Sequence, residues 1–206
     1  AWTLCAGDPR VVVAVIDEAV QTDHPDLRAN IWTRESDGVH GWNFTNNSSK
    51  LDWSSENNSG HGTHVAGTVA AVNNNGTGVS GIAGGSGKND GVKIMSCQIF
   101  EGGDGASLSA IAKAFEWAAD NGACIAQCSF GSVSGDYKND GAYTSLAKVE
   151  VDAINYFISK SNCAAMDGGL VIVAAGNDGK PLSSYPAALP QCISVCAVAS
   201  DGLPAY

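Results

Sequence analysis

The sequence predicts an α/β fold, a parallel sheet carrying helices on both faces. Short β-branched runs alternate along the chain with segments whose apolar residues recur at helical spacing. The first of them, Val11 to Ile16, is apolar throughout rather than at every second position, which is how a strand buried on both faces reads. Two of them are followed by a polar residue capable of chemistry, Asp17 and Asn177, and open α/β sheets place their sites at such strand ends.

Taken in order, residues 10–16 form a run (Val11, Val12, Val13, Val15, Ile16) too short and too continuously apolar for a half-exposed helix, so they read as a buried strand ending at Asp17. Residues 21–31, with His24-Pro25-Asp26-Leu27 inside them, read as a turn and a short irregular segment. Residues 42–60 are rich in Asn and Ser and carry Trp42, Phe44 and Trp53, the pattern of an ordered surface loop. A helix then starts at Gly60-His61-Gly62. Its glycines allow a tight turn and a close approach of neighbouring chain, Val65, Thr68, Val69 and Val72 supply a packing stripe, and His61 faces outward. Asn73-Asn74-Asn75-Gly76 ends it, either as a polar turn or as a set of oxygens suited to calcium.

Residues 92–99 form the next strand. The glycine-rich stretch 102–106 would let a peptide lie along its backbone, although flexibility explains the same glycines. Ser107 caps a helix with the apolar face Leu108, Ile111, Phe115, Ala118 and Ala119, which stops near Asn121-Gly122. Residues 123–130 read as a strand closed by Ser129-Phe130-Gly131. Residues 143–159 form the longest helix, with Leu146, Val149, Ile154, Phe157 and Ile158 near helical spacing. Residues 169–175 return to a buried strand that runs into Gly176-Asn177-Asp178, and 193–198 supply a last one.

No internal repeat or linker divides the chain, so residues 1–206 read as one unit. The net charge of −10, with no cluster of Lys and Arg, argues against a nucleic-acid partner. No apolar stretch approaches membrane-spanning length, and Ala1-Trp2-Thr3-Leu4 lacks a signal pattern, so any export signal is expected to be removed already or never present. The 7 cysteines are an odd number, so at least one is unpaired within the chain. Cys97, Cys124, Cys128, Cys192 and Cys196 lie in strand-like runs and read as small buried hydrophobes, whereas Cys5 and Cys163 lie in less regular surroundings and are free to pair.

Asp17, His61 and Asn177 can converge above one edge of the predicted sheet. A carboxylate would hold the imidazole's tautomer, the imidazole would take a proton from a hydroxyl, and the amide would donate to an oxyanion: an acyl-transfer set lacking its nucleophile. A zinc-protease helix is the poorer reading, because His61 and His64 are spaced i,i+3 with no Glu between them.

These segments resemble the subtilisin family of serine proteases, the subtilases. Val13-Ala14-Val15-Ile16-Asp17 followed by His24-Pro25-Asp26-Leu27 resembles the family's aspartate motif. Ser59-Gly60-His61-Gly62-Thr63-His64-Val65-Ala66-Gly67 matches its histidine motif throughout. Val173-Ala174-Ala175-Gly176-Asn177, with Tyr185-Pro186-Ala187 beyond it, resembles the strand of the oxyanion asparagine, and the likeness runs from about Arg10 to the last residue. The resemblance implies a subtilisin-like parallel sheet with helices on both faces and an endopeptidase in which Asp17 orients His61, the general base, and Asn177 donates to the oxyanion. It also implies that Ser129, Phe130, Gly131, Gly105, Ala175 and Gly176 line the substrate cleft, with Asp178 at its rim. Asp26, Val72 and Asn74 match positions that supply a structural calcium site in part of the family. A polypeptide substrate and an extracytoplasmic setting belong to the same expectation.

Two departures stand out. After the aspartate the family has a small hydroxyl residue and Gly, whereas this chain has Glu18-Ala19; a second carboxylate there either acts on the Asp17–His61 pair or faces solvent, and the solvent-facing reading is favoured. The family's Gly-Thr-Ser-Met-Ala nucleophile motif is absent, and Ser183, Ser184, Ser194 and Ser200 lack its context. The 206 residues are therefore expected to be the N-terminal portion of one catalytic domain, completed by a C-terminal segment that carries the serine, as a separate chain or missing. A cleft that binds peptide or protein without cutting is the alternative.

Overall fold

The computed structural model describes residues 2–54, 56, 58–102 and 105–203. Its centre is β1 (Val12–Asp17), six buried residues in succession. β1 pairs in parallel with β3 (Lys93–Gln98) on one side and β4 (Ile125–Cys128) on the other. β2 (Gly41–Asn43), β5 (Leu170–Ala174) and β6 (Ile193–Val195) extend the sheet to the order β2-β3-β1-β4-β5-β6, every pair parallel. Because all strands run one way, their C-terminal ends share a single edge. The predicted surface loop at 42–60 thus opens as an edge strand, a placement that pairing with β3 decides and three residues cannot announce.

The two faces are covered unequally. Val12, Ala14 and Ile16 of β1 point into a core shared with α2 (Leu108–Asp120) and α4 (Lys148–Lys160), where Phe115 and Phe157 meet edge to face at 6.1 Å. Val13 and Val15 point the other way, into a smaller core with α1 (His61–Ala70). Ser107 caps α2 as predicted, its hydroxyl accepting the Ala110 N–H at 3.1 Å. Beyond α1 the same sheet face lies open: Leu170, Ile193 and Val195 are 40%, 45% and 52% exposed. Leu170 and Ile172 of β5 lie on one face, and Ile172 is in register with Ile193 and Ala174 with Val195, so these residues form a continuous apolar strip.

Several sequence expectations need correction. α1 packs through its small residues Gly62, Ala66 and Ala70; Val65 and Val69 flank that stripe, Thr68 and His64 are exposed, and Val72 lies beyond the helix. The helix expected at 143–159 is two, α3 (Asp140–Leu146) and α4, broken at Ala147. Tyr143 explains the break: its ring stacks on Tyr185 at 4.6 Å and its hydroxyl donates to Glu150 at 2.7 Å, so α3 follows those contacts while Leu146 and Val149 remain exposed. Burial pushes the Glu150 carboxyl up from its ordinary value.

Cys163 pairs with Cys124, not with Cys5, so Cys124 is not the free core thiol expected; Cys97 and Cys128 are buried and free, and Cys196 is exposed. The bridge ties the start of β4 to the segment after α4 across a sequence separation of 39. A loop of that length restricts the unfolded chain by about 4 kcal/mol. Cys163→Ser is expected to lower the urea midpoint by a comparable stability loss, and excess reductant should produce the same shift in the wild-type chain and none in the variant.

Candidate active site

β1 delivers Asp17 to the sheet edge with its side chain buried to 2% exposure, while the His61 side chain remains 50% exposed. His61 Nδ1 and Asp17 Oδ1 are 2.8 Å apart. The same Oδ1 accepts the Glu18 N–H at 2.7 Å, and Oδ2 is buried without a hydrogen-bond partner among the described residues. Burial pushes the Asp17 carboxyl up, and the hydrogen bonds from His61 and the Glu18 N–H oppose that rise. With Asp17 ionised, a neutral His61 donates through Nδ1 and keeps its lone pair on Nε2, the arrangement a general base requires.

The glycines of the histidine segment explain the proximity. Gly60 sits at φ 79°, the left-handed region, where the chain turns into α1. A Cβ on Gly62 would lie 2.2 Å from the Glu18 carbonyl oxygen, so α1 can lie this close to the end of β1 only without a side chain there.

Glu18 does not face solvent as expected. It is buried, Oε2 accepts the His61 backbone N–H at 3.0 Å, and both oxygens accept the Ser59 hydroxyl at 2.9 Å. The signal was present in the sequence: a helix that opens on Gly60 and has no acid in its first turn needs an acceptor for its free N–H groups. Which distant residue supplies that acceptor is not written in the local pattern.

Asn177 lies exposed on the loop after β5, and Ser129, Phe130 and Gly131 follow β4. Since β1, β4 and β5 are consecutive in the sheet, Asp17 and the Asn177 loop stand on the same edge, two strand spacings or about 10 Å apart along it. The two loops are tied together. Ser132 exchanges hydrogen bonds with Tyr185, and the Ser134 N–H donates to Asp178 at 2.6 Å, which holds the Asp178 carboxyl below its ordinary value. Asp178 is therefore a brace between loops, and Ala175 is held by its N–H to Val195. Gly105 lines a depression of about 460 Å³ with Phe44, Thr45, Ile99 and Glu101. Phe100, two residues beyond β3, contacts Phe130 edge to face at 5.9 Å and so links the two regions. Residues 103 and 104 of the predicted peptide-binding stretch lie outside the described residues.

The residues matched to calcium each make contacts within the protein. Asp26 is buried, but its carboxylate accepts the Asn75 side-chain N–H at 2.6 Å and the Val79 backbone N–H at 2.9 Å. Asn74 is exposed and turned to Ser86, and Val72 meets Asp26 through its own N–H. The loop brings Asn75 to Asp26 in place of Asn74. Among the described residues no group of three or more His, Cys, Asp and Glu could hold a metal.

The sequence profile described as the subtilase family matches residues 8–206. Thermitase of Thermoactinomyces vulgaris is 32% identical over 195 residues, covering 95% of this chain and 57% of thermitase. An extracellular protease of Xanthomonas campestris is 36% identical over 232 residues, covering 98% and 35%. Among solved structures, the prenylagaramide maturation protease PagA superposes with a TM-score of 0.69 at 26% identity, covering 99% of this chain and 59% of that one. The chain thus spans between about a third and somewhat over half of these relatives.

The contact at Gly62 yields a direct test. Gly62→Ala gains about 1 kcal/mol of helix propensity but forces an overlap costing about 3 kcal/mol as α1 and β1 part. A net loss of about 2 kcal/mol is expected in urea unfolding.

Proposed function

This chain belongs to the subtilase family, and we propose that it is the N-terminal portion of a single catalytic domain that hydrolyses peptide bonds as a serine endopeptidase. The observation that carries the proposal is the buried Asp17 carboxylate 2.8 Å from a half-exposed imidazole. Asp17 holds the His61 tautomer and stabilises the imidazolium. A serine on a segment following residue 206 attacks the scissile carbonyl carbon, and its hydroxyl proton passes to His61 Nε2. The tetrahedral oxyanion accepts a hydrogen bond from the Asn177 amide. His61 then returns the proton to the leaving amine as the C–N bond breaks, and water hydrolyses the acyl-enzyme by the same route.

The open apolar strip of β5 and β6 supports a completing segment, because a sheet face of this kind is stable when another element covers it. The substrates in this reading are polypeptides, lying along the strand-end loops near Ser129–Gly131 and Gly105, and no step runs through a metal. An extracytoplasmic setting fits both the Cys124–Cys163 bridge and the extracellular protease of Xanthomonas campestris.

The deciding experiment is fluorophosphonate labelling of the protein carrying its complete C-terminal sequence, with the labelled peptide identified by mass. Label on a serine beyond residue 206, lost in His61→Ala, is the expected result; turnover of a peptide substrate without any labelled serine would sink the proposal. In the same protein Asn177→Ala is expected to lower kcat about 100-fold with KM little changed.

A further inference from the structure

We propose that Glu18 is a positioning residue that holds the start of α1, and with it the His61 imidazole, against the strand end that carries Asp17. The inference rests on the preceding reading of His61 as general base and assigns a role in that site to the residue by which this chain departs from the family's motif.

The geometry is a closed ring of hydrogen bonds. The Glu18 N–H donates to Asp17 Oδ1 at 2.7 Å, and that oxygen takes His61 Nδ1 at 2.8 Å. The His61 backbone N–H donates to Glu18 Oε2 at 3.0 Å, which returns the ring to the residue where it began. Ser59 adds its hydroxyl at 2.9 Å to each Glu18 oxygen and its N–H at 3.3 Å to Oε1. The imidazole is therefore fixed at both its ring nitrogen and its main chain by two consecutive residues of one strand end.

Three features make Glu18 the member that sets the geometry. Gly60 offers no side-chain acceptor, so the first free N–H of α1 depends on Glu18. Glu18 is buried, 9% exposed, so water does not readily replace its carboxylate. Its charge lies at a helix N-terminus, where the backbone dipoles favour an anion and charge-assisted bonds are the stronger kind. The Gly62 contact keeps α1 near β1 without Glu18, so losing the carboxylate frees the His61 turn rather than the whole helix.

The test uses the protein with its complete C-terminal sequence, with kcat and KM for a chromogenic peptide and active sites counted by fluorophosphonate titration. Displacing a catalytic group by about 1 Å costs on the order of 100-fold. Glu18→Ala should accordingly lower kcat per titrated site by about 30- to 100-fold with KM within about twofold of wild type. Glu18→Gln keeps the side-chain length and one accepting oxygen and should recover part of that loss, leaving kcat per site about three- to tenfold below wild type. A purely structural role would lower the number of titratable sites or the melting temperature and leave kcat per site alone. The proposal is overturned if Glu18→Ala and Glu18→Gln both keep kcat per site within about twofold of wild type; if Glu18→Ala does not fold, Glu18→Gln decides on the same criterion. His61→Ala separates the two levels, since full turnover in that variant refutes the general-base reading itself, whereas loss of turnover there with unchanged Glu18 variants refutes only the role of Glu18.

Discussion

The approach of α1 to the end of β1 is the constraint on which the site depends. Two backbones meet where Gly62 faces the Glu18 carbonyl, and no side chain fits between them. A buried Asp17 is costly because its charge leaves water, and only close donors offset that cost. The approach of α1 brings one of them, the His61 ring, and the turn of the chain into Glu18 brings the other. Backbone packing of small residues thus sets the electrostatics of the pair.

The sheet carries that local arrangement to a larger surface. With every strand parallel, loops remote in sequence share one edge, and the loops after β4 and β5 are tied to each other and to the Tyr185 segment. The core of α2 and α4 buries one face almost completely, whereas α1 covers only part of the other. The resulting asymmetry leaves a firm platform behind the edge and an apolar strip beside it.

Much of this was legible from local pattern. The run at Val12–Asp17 announces itself because a strand buried on both faces has to be apolar at nearly every position. Asp17, His61 and Asn177 were legible as polar residues at a strand end or a helix start, the last two beside Gly60, Gly62 and Gly176. β2 was not legible, since a three-residue edge strand has no period to detect. Nor was the break at Ala147, where helical spacing continues through Leu146 and Val149 but Tyr143 is held by Tyr185 and Glu150 instead.

The sequence by itself determined the fold class, the order of its longer strands and helices apart from β2 and the break at Ala147, the family and the residues of the candidate site, because each is written in local pattern or in a contiguous motif. Only the tertiary structure decided which groups become partners. Glu18 turned from an expected surface acid into the acceptor for the start of α1, Cys163 found Cys124, and Asn75 rather than Asn74 met Asp26. Each of these joins residues between 39 and 49 positions apart in the chain. Pairings over such distances are set by how the sheet and helices pack, and no local spacing encodes them.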